Sequence, residues 1–240
     1  MKILITNDDG IHSKGIEELA KMALSLGDVY VIAPQTECSA MSSRITVRES
    51  MLAKVHDFPV PVKKAYSLSG TPADCVKVGL AHLLAEHEKP DYVFSGINNG
   101  FNAGGDILYS GTVGAAMEAL ITGVPAIAFS NEANGSFGTV NAHILEITKK
   151  ILEMPPLEKE IWNINFPGIE AKDCRGILWD RAIAPFQYFL SKYEISESES
   201  GTHFLAGGEK YAESLDLDDT DMSAVMNGYV SVGKIRCNVL

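Results

Sequence analysis

Two adjacent aspartates, Asp8 and Asp9, follow a short apolar run at residues 3–5 and precede Gly10. An unbroken apolar run of this kind is typical of a strand buried on both faces of a parallel sheet. Neighbouring carboxylates repel each other, and burying them together is costly unless a cation lies beside them. Open α/β sheets bind ligands at the carboxyl ends of their strands, so the pair could hold a metal ion there. The simpler interpretation is an acidic turn that faces water.

Two later loops supply further oxygen donors. Residues 35–44 follow the second predicted strand, and residues 95–112 follow a later one. Because adjacent parallel strands end at the same edge of a sheet, these loops should converge on the first turn. Convergence would gather four oxygen donors without histidine or cysteine, namely Asp8, Asp9, Ser39 and Asn98. Such hard ligands favour Mg²⁺, Mn²⁺ or Ca²⁺ over Zn²⁺ and leave room for a substrate phosphate.

The segment Ser110-Gly111-Thr112 stands where a helix is predicted to begin. Free backbone N–H groups at a helix start attract anions, and glycine allows a phosphate oxygen to approach closely. The simpler interpretation is that Ser110 or Thr112 only caps the helix. The chain contains neither GxxxxGK[ST] nor a GxGxxG after its first strand, which disfavours nucleoside-triphosphate hydrolysis and dinucleotide binding. The residues alone therefore favour a metal-assisted reaction on a small anion, with a phosphate ester as the leading candidate.

Apolar spacing predicts the elements that would position these residues. Buried strands are expected at residues 3–5, 29–33, 92–94, 126–130 and 161–166. Helices are expected from Ser13, from Thr71-Pro72, at 113–121 and at 140–152, with Thr71 as a cap and Pro72 in the first turn. Short strands at 45–47, 51–55 and 64–69 should form an antiparallel excursion. This alternation predicts an α/β fold with a mostly parallel sheet.

The alternation of strands and helices stops after Pro167. Strand fragments at residues 177–179 and 211–212 and a final strand at 229–232 predict a β-rich appendage for oligomer contacts or a lid. We therefore expect one domain over residues 1–240, with an α/β core at 1–166 and the appendage at 167–240. The acidic run at 216–221 lacks the glycine of an EF-hand loop and is expected to be solvated.

Composition sets limits on the partners of the chain. Its 240 residues carry a formal net charge of −11, which argues against binding to a nucleic acid backbone. The four cysteines are scattered and form no CxxC pair, which favours a reducing compartment. Neither a signal peptide nor a membrane span is recognisable in the sequence. The cytoplasm is therefore the expected location, with no membrane partner.

The assembled motifs resemble those of the SurE survival-protein nucleotidases. The agreement covers ILITNDDG at residues 3–10, GTPADCV at 70–76, SGIN at 95–98, DILYSGTV at 106–113, and a late stretch from Thr220-Asp221 to GYVSV at 228–232. The resemblance runs in the family's order over nearly the whole chain. It implies a Rossmann-like three-layer core and a C-terminal segment used in homodimer or homotetramer assembly.

The resemblance also implies an activity and a site. Members are divalent-metal-dependent phosphatases of nucleoside 5′- and 3′-monophosphates, and some also cleave short polyphosphate. The family's metal ligands map onto Asp8, Asp9, Ser39 and Asn98, the four residues that loop convergence gathers, and the two aspartates are the expected catalytic residues. The resemblance places Asn7, Gly96 and the Ser110-Gly111-Thr112 turn around the substrate phosphate. The expected cofactor is one Mg²⁺ or Mn²⁺ ion, for which Ca²⁺ could substitute in a crystal.

Three positions depart from the family pattern. Members usually have Gly-His-Ser where this chain has Ser42-Ser43-Arg44, many have Asn-Arg-Gly in place of Asn98-Asn99-Gly100, and Gly233-Lys234 replaces a Thr-Pro pair. These changes bear on substrate preference and turnover and leave the metal ligands intact. Arg44 could replace part of the lost positive charge.

Three alternatives to this activity stay open at this point. An aspartyl-phosphate phosphatase of the haloacid-dehalogenase kind is disfavoured because its DxD spacing is absent from the first turn. A non-catalytic, metal-dependent nucleotide-binding protein would use the same pocket without turnover. A structural oligomer with a vestigial site would show no stabilisation by metal.

Overall fold

The computed structural model describes residues 1–198, 200–210, 215–216, 218–238 and 240. Within these residues the strands are β1 (Lys2–Thr6), β2 (Asp28–Pro34), β3 (Ala53–Val55), β4 (Lys64–Leu68), β5 (Tyr92–Asn99), β6 (Ala126–Asn131), β7 (Glu160–Phe166), β8 (Ile177–Arg181), β9 (Phe189–Ser198), β10 (Gly201–Lys210) and β11 (Val230–Arg236). The α-helices are α1 (Lys14–Ala23), α2 (Pro72–Val78), α3 (Gly111–Ile121), α4 (Gly138–Leu152) and α5 (Asp221–Met226).

The central sheet has the strand order β3-β4-β2-β1-β5-β6-β7-β11-β8. Neighbours from β4 through β7 pair in parallel, whereas β3 is antiparallel to β4 and β11 is antiparallel to β7. Strands β9 and β10 form a separate antiparallel hairpin. The predicted α/β fold with a mostly parallel sheet is confirmed, and β1, which carries the two aspartates at its end, lies between β2 and β5.

Two apolar layers cover the sheet because successive residues of a buried strand point to opposite faces. Ile3 and Ile5 pack in one cluster with the apolar faces of α1 and α4. Leu4 packs on the other face with α2 and α3. The apolar run that predicted a doubly covered strand therefore builds the three layers of the core.

Helix starts follow the local chemistry of the sequence. The Ser13 hydroxyl accepts the Ile16 N–H and caps α1, whose apolar stripe faces the core as predicted. At α2, the Asp74 N–H donates to the Thr71 hydroxyl and the Thr71 N–H donates to the Asp74 carboxylate, with Pro72 in the first turn. These reciprocal bonds satisfy donors that a helix start otherwise leaves free.

Some predicted elements around the first loops are wrong. Residues 45–47 form no strand, because Thr46 donates its N–H and hydroxyl to Asp74 in place of a neighbouring strand. The 51–55 strand shortens to Ala53–Val55, and β4 is a parallel neighbour of β2 as well as an antiparallel partner of β3. The polar sequence after Ser95 also hides a continuation of β5 to Asn99, which pairs with β6 after a register shift.

The C-terminal part contributes to the sheet as well as to the hairpin. Strands β8 and β11 extend the sheet beyond β7, while the predicted fragment at residues 211–212 lies outside the described residues. The expected solvated loop at 216–221 is wrong for Asp221, which is buried at the start of α5. Its carboxylate accepts the Gly104 and Ala184 N–H groups, so its burial is compensated by hydrogen bonds. Across the described part of the chain, no helix combines the length and apolar character that a membrane crossing requires.

Gly15 lies where α1 packs tightly against the backbone of β5. A Cβ atom at this position would lie 1.9 Å from the Ile97 carbonyl oxygen. We expect Gly15→Ala to lower the free energy of unfolding by at least about 2 kcal/mol, because backbone would have to move. Urea unfolding measures the change. Gly207→Ala is the control, since its Cβ would meet nothing nearer than 3.8 Å, and equal midpoints for the two variants would contradict the expectation.

Candidate active site

A cavity of about 530 Å³ opens at the carboxyl ends of β1, β2 and β5. All four predicted metal ligands, Asp8, Asp9, Ser39 and Asn98, line it. The two aspartates follow β1, Ser39 lies in the loop after β2, and Asn98 lies near the end of β5. The structure thus brings together the donors that strand order predicts. Asn98 reaches the site from a strand rather than from the expected loop.

Asp8 is held by the first turn of α3. Its Oδ1 accepts the Thr112 hydroxyl at 2.6 Å, and its Oδ2 accepts the Thr112 N–H at 3.0 Å. A Cβ atom at position 111 would lie 2.9 Å from Asp8 Cβ, so glycine permits this approach. Asp8 is only 3% exposed, and burial raises its pKa although the bonds from Thr112 oppose the rise. The carboxylate therefore has a fixed orientation.

The pKa of Asp9 is raised as well. Its Oδ2 accepts the Asn99 N–H at 2.9 Å. Burial, followed by the negative charge of Asp8, raises the pKa of Asp9 to about 6. Glu37 adds a smaller contribution in the same direction. The site therefore accumulates negative charge that its own hydrogen bonds only partly offset.

The donor set fits a hard divalent cation. Four acidic residues line the cavity, and its described lining includes no lysine, arginine or histidine; the acidic residues are Asp8, Asp9, Glu37 and Asp106. The described residues also contain no group of three or more histidine, cysteine or acidic side chains arranged around one point, so a metal bound here would need other oxygen donors. Ser39 and Asn98 would supply them. Oxygen donors with uncompensated negative charge are the environment that Mg²⁺ and Mn²⁺ prefer.

Ser39 and Asn98 are oriented by their own hydrogen bonds. The Ser39 hydroxyl donates to Glu37 Oε1 at 2.6 Å. The Asn98 amide nitrogen donates to the Gly100 carbonyl at 2.8 Å. Each bond uses a donor hydrogen, so the Ser39 and Asn98 oxygens keep lone pairs for a cation.

The residues predicted to surround a phosphate occupy different places. Ser110 lines the cavity and caps α3 by accepting the Val113 N–H at 3.0 Å. Gly111 and Thr112 lie behind Asp8, where they hold its carboxylate. The capping interpretation of this turn is confirmed for Ser110, and the Thr112 N–H group at the helix start binds the Asp8 carboxylate. Their phosphate contacts stay predictions.

Asn7 and Gly96 lie behind the cavity wall in the described structure. The Asn7 amide donates to the Gly10 carbonyl and the Ser13 hydroxyl, and this fixes the turn that carries the aspartates. A Cβ atom at Gly96 would lie 2.2 Å from the Phe129 carbonyl oxygen, so glycine permits close packing of β5 on β6. These contacts support the site from behind, and a role at the phosphate stays a prediction for both residues.

Sequence reasoning missed two acidic residues of the cavity. Glu37 lies two positions before Ser39 in the predicted loop, and Asp106 lies inside the motif at 106–113. Asp106 Oδ2 accepts the N–H groups of Tyr188 and Phe189, each at 2.9 Å, and so ties the cavity to the C-terminal part. Glu37 could have been predicted, because it lies in the same loop as Ser39 and only two positions before it. The partners of Asp106 are 82 and 83 positions away, and no local signal reveals them.

Two of the departures from the family pattern have visible contacts. Asn99 donates its N–H to Asp9 and accepts the Asn134 N–H on its side-chain oxygen at 2.8 Å. It therefore links the acidic pair to the loop after β6. Arg44 is exposed and does not line the cavity, while its carbonyl accepts the Thr71 hydroxyl. The structure does not bring Arg44 into the position of a replacement charge.

The raised pKa of Asp9 predicts how pH affects the metal-free protein. The folded chain holds this proton up to about pH 6, whereas the unfolded chain releases it near the ordinary aspartate pKa of 3.8. The free energy of unfolding should therefore fall as pH rises through this window. Asp9→Asn removes the titrating carboxylate. Over this pH range, the free energy of unfolding of the variant should therefore fall by about 2 kcal/mol less than that of the wild type.

Urea unfolding in EDTA, between about pH 4 and pH 7, measures this difference. Asp173→Asn is the control because Asp173 is exposed and does not line the cavity. Its pH dependence should parallel that of the wild type. If the free energy of unfolding of Asp9→Asn and of the wild type changed in parallel with pH, the raised pKa of Asp9 would be contradicted.

The geometry agrees with what comparison with known proteins finds. The family model for survival protein SurE matches residues 3–185. The 5′-nucleotidase SurE of Desulforamulus reducens is 43% identical over 100% of this chain and 94% of its own length. The 5′-nucleotidase SurE 2 of Chlamydia caviae is 36% identical over 98% of this chain and 84% of its own length.

A solved structure gives the same result for the fold. The crystal structure of the SurE protein from Aquifex aeolicus matches with a TM-score of 0.81 at 35% identity, covering 100% of this chain and 95% of that chain. The family suggested by the sequence motifs is confirmed at the level of both sequence and fold. This chain belongs to the SurE family.

Proposed function

We propose that this protein is a divalent-metal-dependent phosphomonoesterase that hydrolyses nucleoside 5′-monophosphates to nucleoside and phosphate. The observation that carries the proposal is the convergence of Asp8, Asp9, Ser39 and Asn98 in one acidic cavity. Relatives that match nearly the whole chain are named 5′-nucleotidase SurE, which supports the same activity. Activity on 3′-monophosphates and short polyphosphate is part of the proposal and is supported by the family resemblance.

The proposed metal ligands are Asp8, Asp9, Ser39 and Asn98, with Mg²⁺ or Mn²⁺ as the bound ion. When bound, a divalent cation neutralises phosphoryl oxygens and lowers the pKa of a coordinated water. Asp8 and Asp9 are the proposed catalytic residues. Thr112 keeps the Asp8 carboxylate in one orientation, so little reorganisation is needed on binding. A neighbouring cation would also stabilise the charged form of Asp9, whose pKa is raised to about 6, because the cation offsets the repulsion from Asp8.

Phosphate release from a panel of nucleoside monophosphates tests the activity. With Mg²⁺ or Mn²⁺, we expect release by the wild type and a loss of at least about a hundredfold in Asp8→Asn, because the metal site loses a charged ligand. EDTA should abolish release. Asp173→Asn, an exposed site away from the cavity, is the matched control and should keep full activity.

Other outcomes separate the alternatives. Binding of nucleotide by folded protein without release under any metal would favour the non-catalytic nucleotide-binding protein. A covalent phosphoenzyme on Asp8 or Asp9 would favour the aspartyl-phosphate mechanism. Absence of any stabilisation by metal would favour the structural oligomer.

The proposed partner in assembly is a second copy of this chain, in a homodimer or homotetramer. The β9–β10 hairpin pairs only with itself among the described strands, and an isolated two-stranded hairpin is marginally stable in water. Register places Tyr193, Ile195 and Phe204 on one of its faces, with 59%, 65% and 64% of their surfaces exposed. Three large apolar side chains on one face favour burial against another protein surface.

All four cysteines are unpaired, which supports the cytoplasm as the compartment.

Substitution on the hairpin tests the assembly. Ile195→Lys places a charge on the apolar face, and we expect it to shift the protein to monomer in size-exclusion chromatography with light scattering. Asp173→Lys also changes charge, but Asp173 is exposed and lies outside the hairpin, so this variant should keep the wild-type mass. A wild-type protein that is monomeric throughout would refute this role for the hairpin.

A further inference from the structure

The cavity has an aromatic wall in addition to its acidic end. Tyr109, Phe101 and Phe189 line it together with the residues that would hold the metal. Phe101 is buried, whereas Tyr109 is 54% exposed and Phe189 is 38% exposed. Large aromatic rings left open beside a polar site favour contact with a planar ligand. The aromatic wall is not used by the phosphate chemistry proposed above.

The main chain of Tyr109 is fixed on both sides. Its N–H donates to the Asp106 carbonyl at 3.0 Å, and its carbonyl accepts the Ser42 N–H at 2.9 Å. The next residue, Ser110, caps α3 at the end of the cavity that holds Asp8. A tyrosine side chain has only two rotatable torsions, so a ring on fixed backbone can bind a ligand at low entropic cost. Tyr109 therefore presents an aromatic face one residue away from the expected phosphate position.

Phe189 is held to the same loop through Asp106. The Asp106 carboxylate accepts the N–H groups of Tyr188 and Phe189 and also a hydrogen bond from the Gln187 side chain. The ring of Tyr188 packs edge-on against Phe101 and Phe189, at centroid distances of 5.5 and 5.0 Å. The C-terminal part thus supplies a second, supported ring to the cavity.

A second cavity, of about 480 Å³, lies on the other side of Asp9 and Asn98. Its wall is mainly polar and carries Lys14, and its aromatic residue, Phe137, is partly buried against the core. A ring that already packs in the core offers little open face to a base. The aromatic wall beside Tyr109 is therefore the better match for a nucleobase.

We infer that Tyr109 is the stacking residue for the base of the nucleotide, with Phe189 completing the subsite. The inference rests on the proposed function and adds to it the position of the nucleoside. Every base has a π face, so stacking of this kind distinguishes a nucleotide from a base-free phosphate ester and tolerates different bases. The phosphate then lies at the acidic end, and the base lies along the wall formed by the loop before α3 and the start of β9.

The test compares AMP with ribose 5-phosphate, which has the same phosphate and sugar but no base. Tyr109→Ala should lower kcat/KM for AMP by about tenfold to a hundredfold, the range expected for loss of one base–aromatic stack. It should change kcat/KM for ribose 5-phosphate by less than about twofold. Tyr109→Phe keeps the ring and should keep the AMP preference. Leu108→Ala is the matched control, because Leu108 is 70% exposed in the same turn and does not line the cavity.

Calorimetric titration with adenosine separates this inference from the proposed function. Adenosine binding that Tyr109→Ala abolishes, in a protein that releases no phosphate, would support the subsite and refute the phosphatase. Phosphate release from AMP that Tyr109→Ala leaves unchanged would refute the subsite and support the phosphatase. An equal fall for AMP and ribose 5-phosphate in Tyr109→Ala would also overturn the inference, because it would show a general structural defect.

Discussion

The burial of two adjacent carboxylates is the constraint on which the site depends. Burial at the end of β1 raises the pKa of both Asp8 and Asp9, and the negative charge of Asp8 raises the pKa of Asp9 further. The protein offsets this cost with donors from its main chain and from Thr112, and no basic side chain takes part in the described cavity. The remaining imbalance is what a divalent cation would relieve. If Asp8 and Asp9 bind the metal, as proposed, metal affinity and folding are linked through these two residues.

Strand order explains why distant segments meet at this pair. With β1 between β2 and β5, the loops that follow all three strands share one edge of the sheet. The Cys38 N–H donates to the Asp8 carbonyl at 2.7 Å, and this holds the loop that carries Ser39 against the first turn. On the other side, Asp106 and Asp221 bind backbone N–H groups across the boundary between the loop after β5 and the C-terminal part. Buried carboxylates thus organise the cavity on two sides, and Asp106 and Asp221, which lie away from the Asp8–Asp9 pair, accept backbone N–H groups.

The sequence predicts what depends on local patterns. Apolar runs and caps locate the strands and helices of the core. The candidate metal ligands follow from two features, their positions after predicted strands and the hard oxygen atoms of their side chains; they are Asp8, Asp9, Ser39 and Asn98. Most of the misses at the site involve polar residues whose partners are remote. Asn98 and Asn99 are predicted to lie in a loop because their pairing with β6 is visible only in three dimensions. Asp221 is predicted to be solvated because the Gly104 and Ala184 N–H groups that bind it lie elsewhere in the chain. Periodicity carries no information about such long-range hydrogen bonds, so the acidic cavity was predictable but its aromatic wall was not.

The division of the cavity into an acidic end and an aromatic wall has a physical basis. A phosphate group requires hard, charged surroundings, whereas a base gains most from an apolar face that excludes water. The two requirements are met by different parts of the chain, the strand ends on one side and the start of β9 on the other. Phe189 begins the same hairpin whose outer part exposes Tyr193, Ile195 and Phe204. If a second copy covers that outer part, as proposed, it also restrains the strand that presents Phe189, so assembly would reduce the ordering cost of binding the nucleoside.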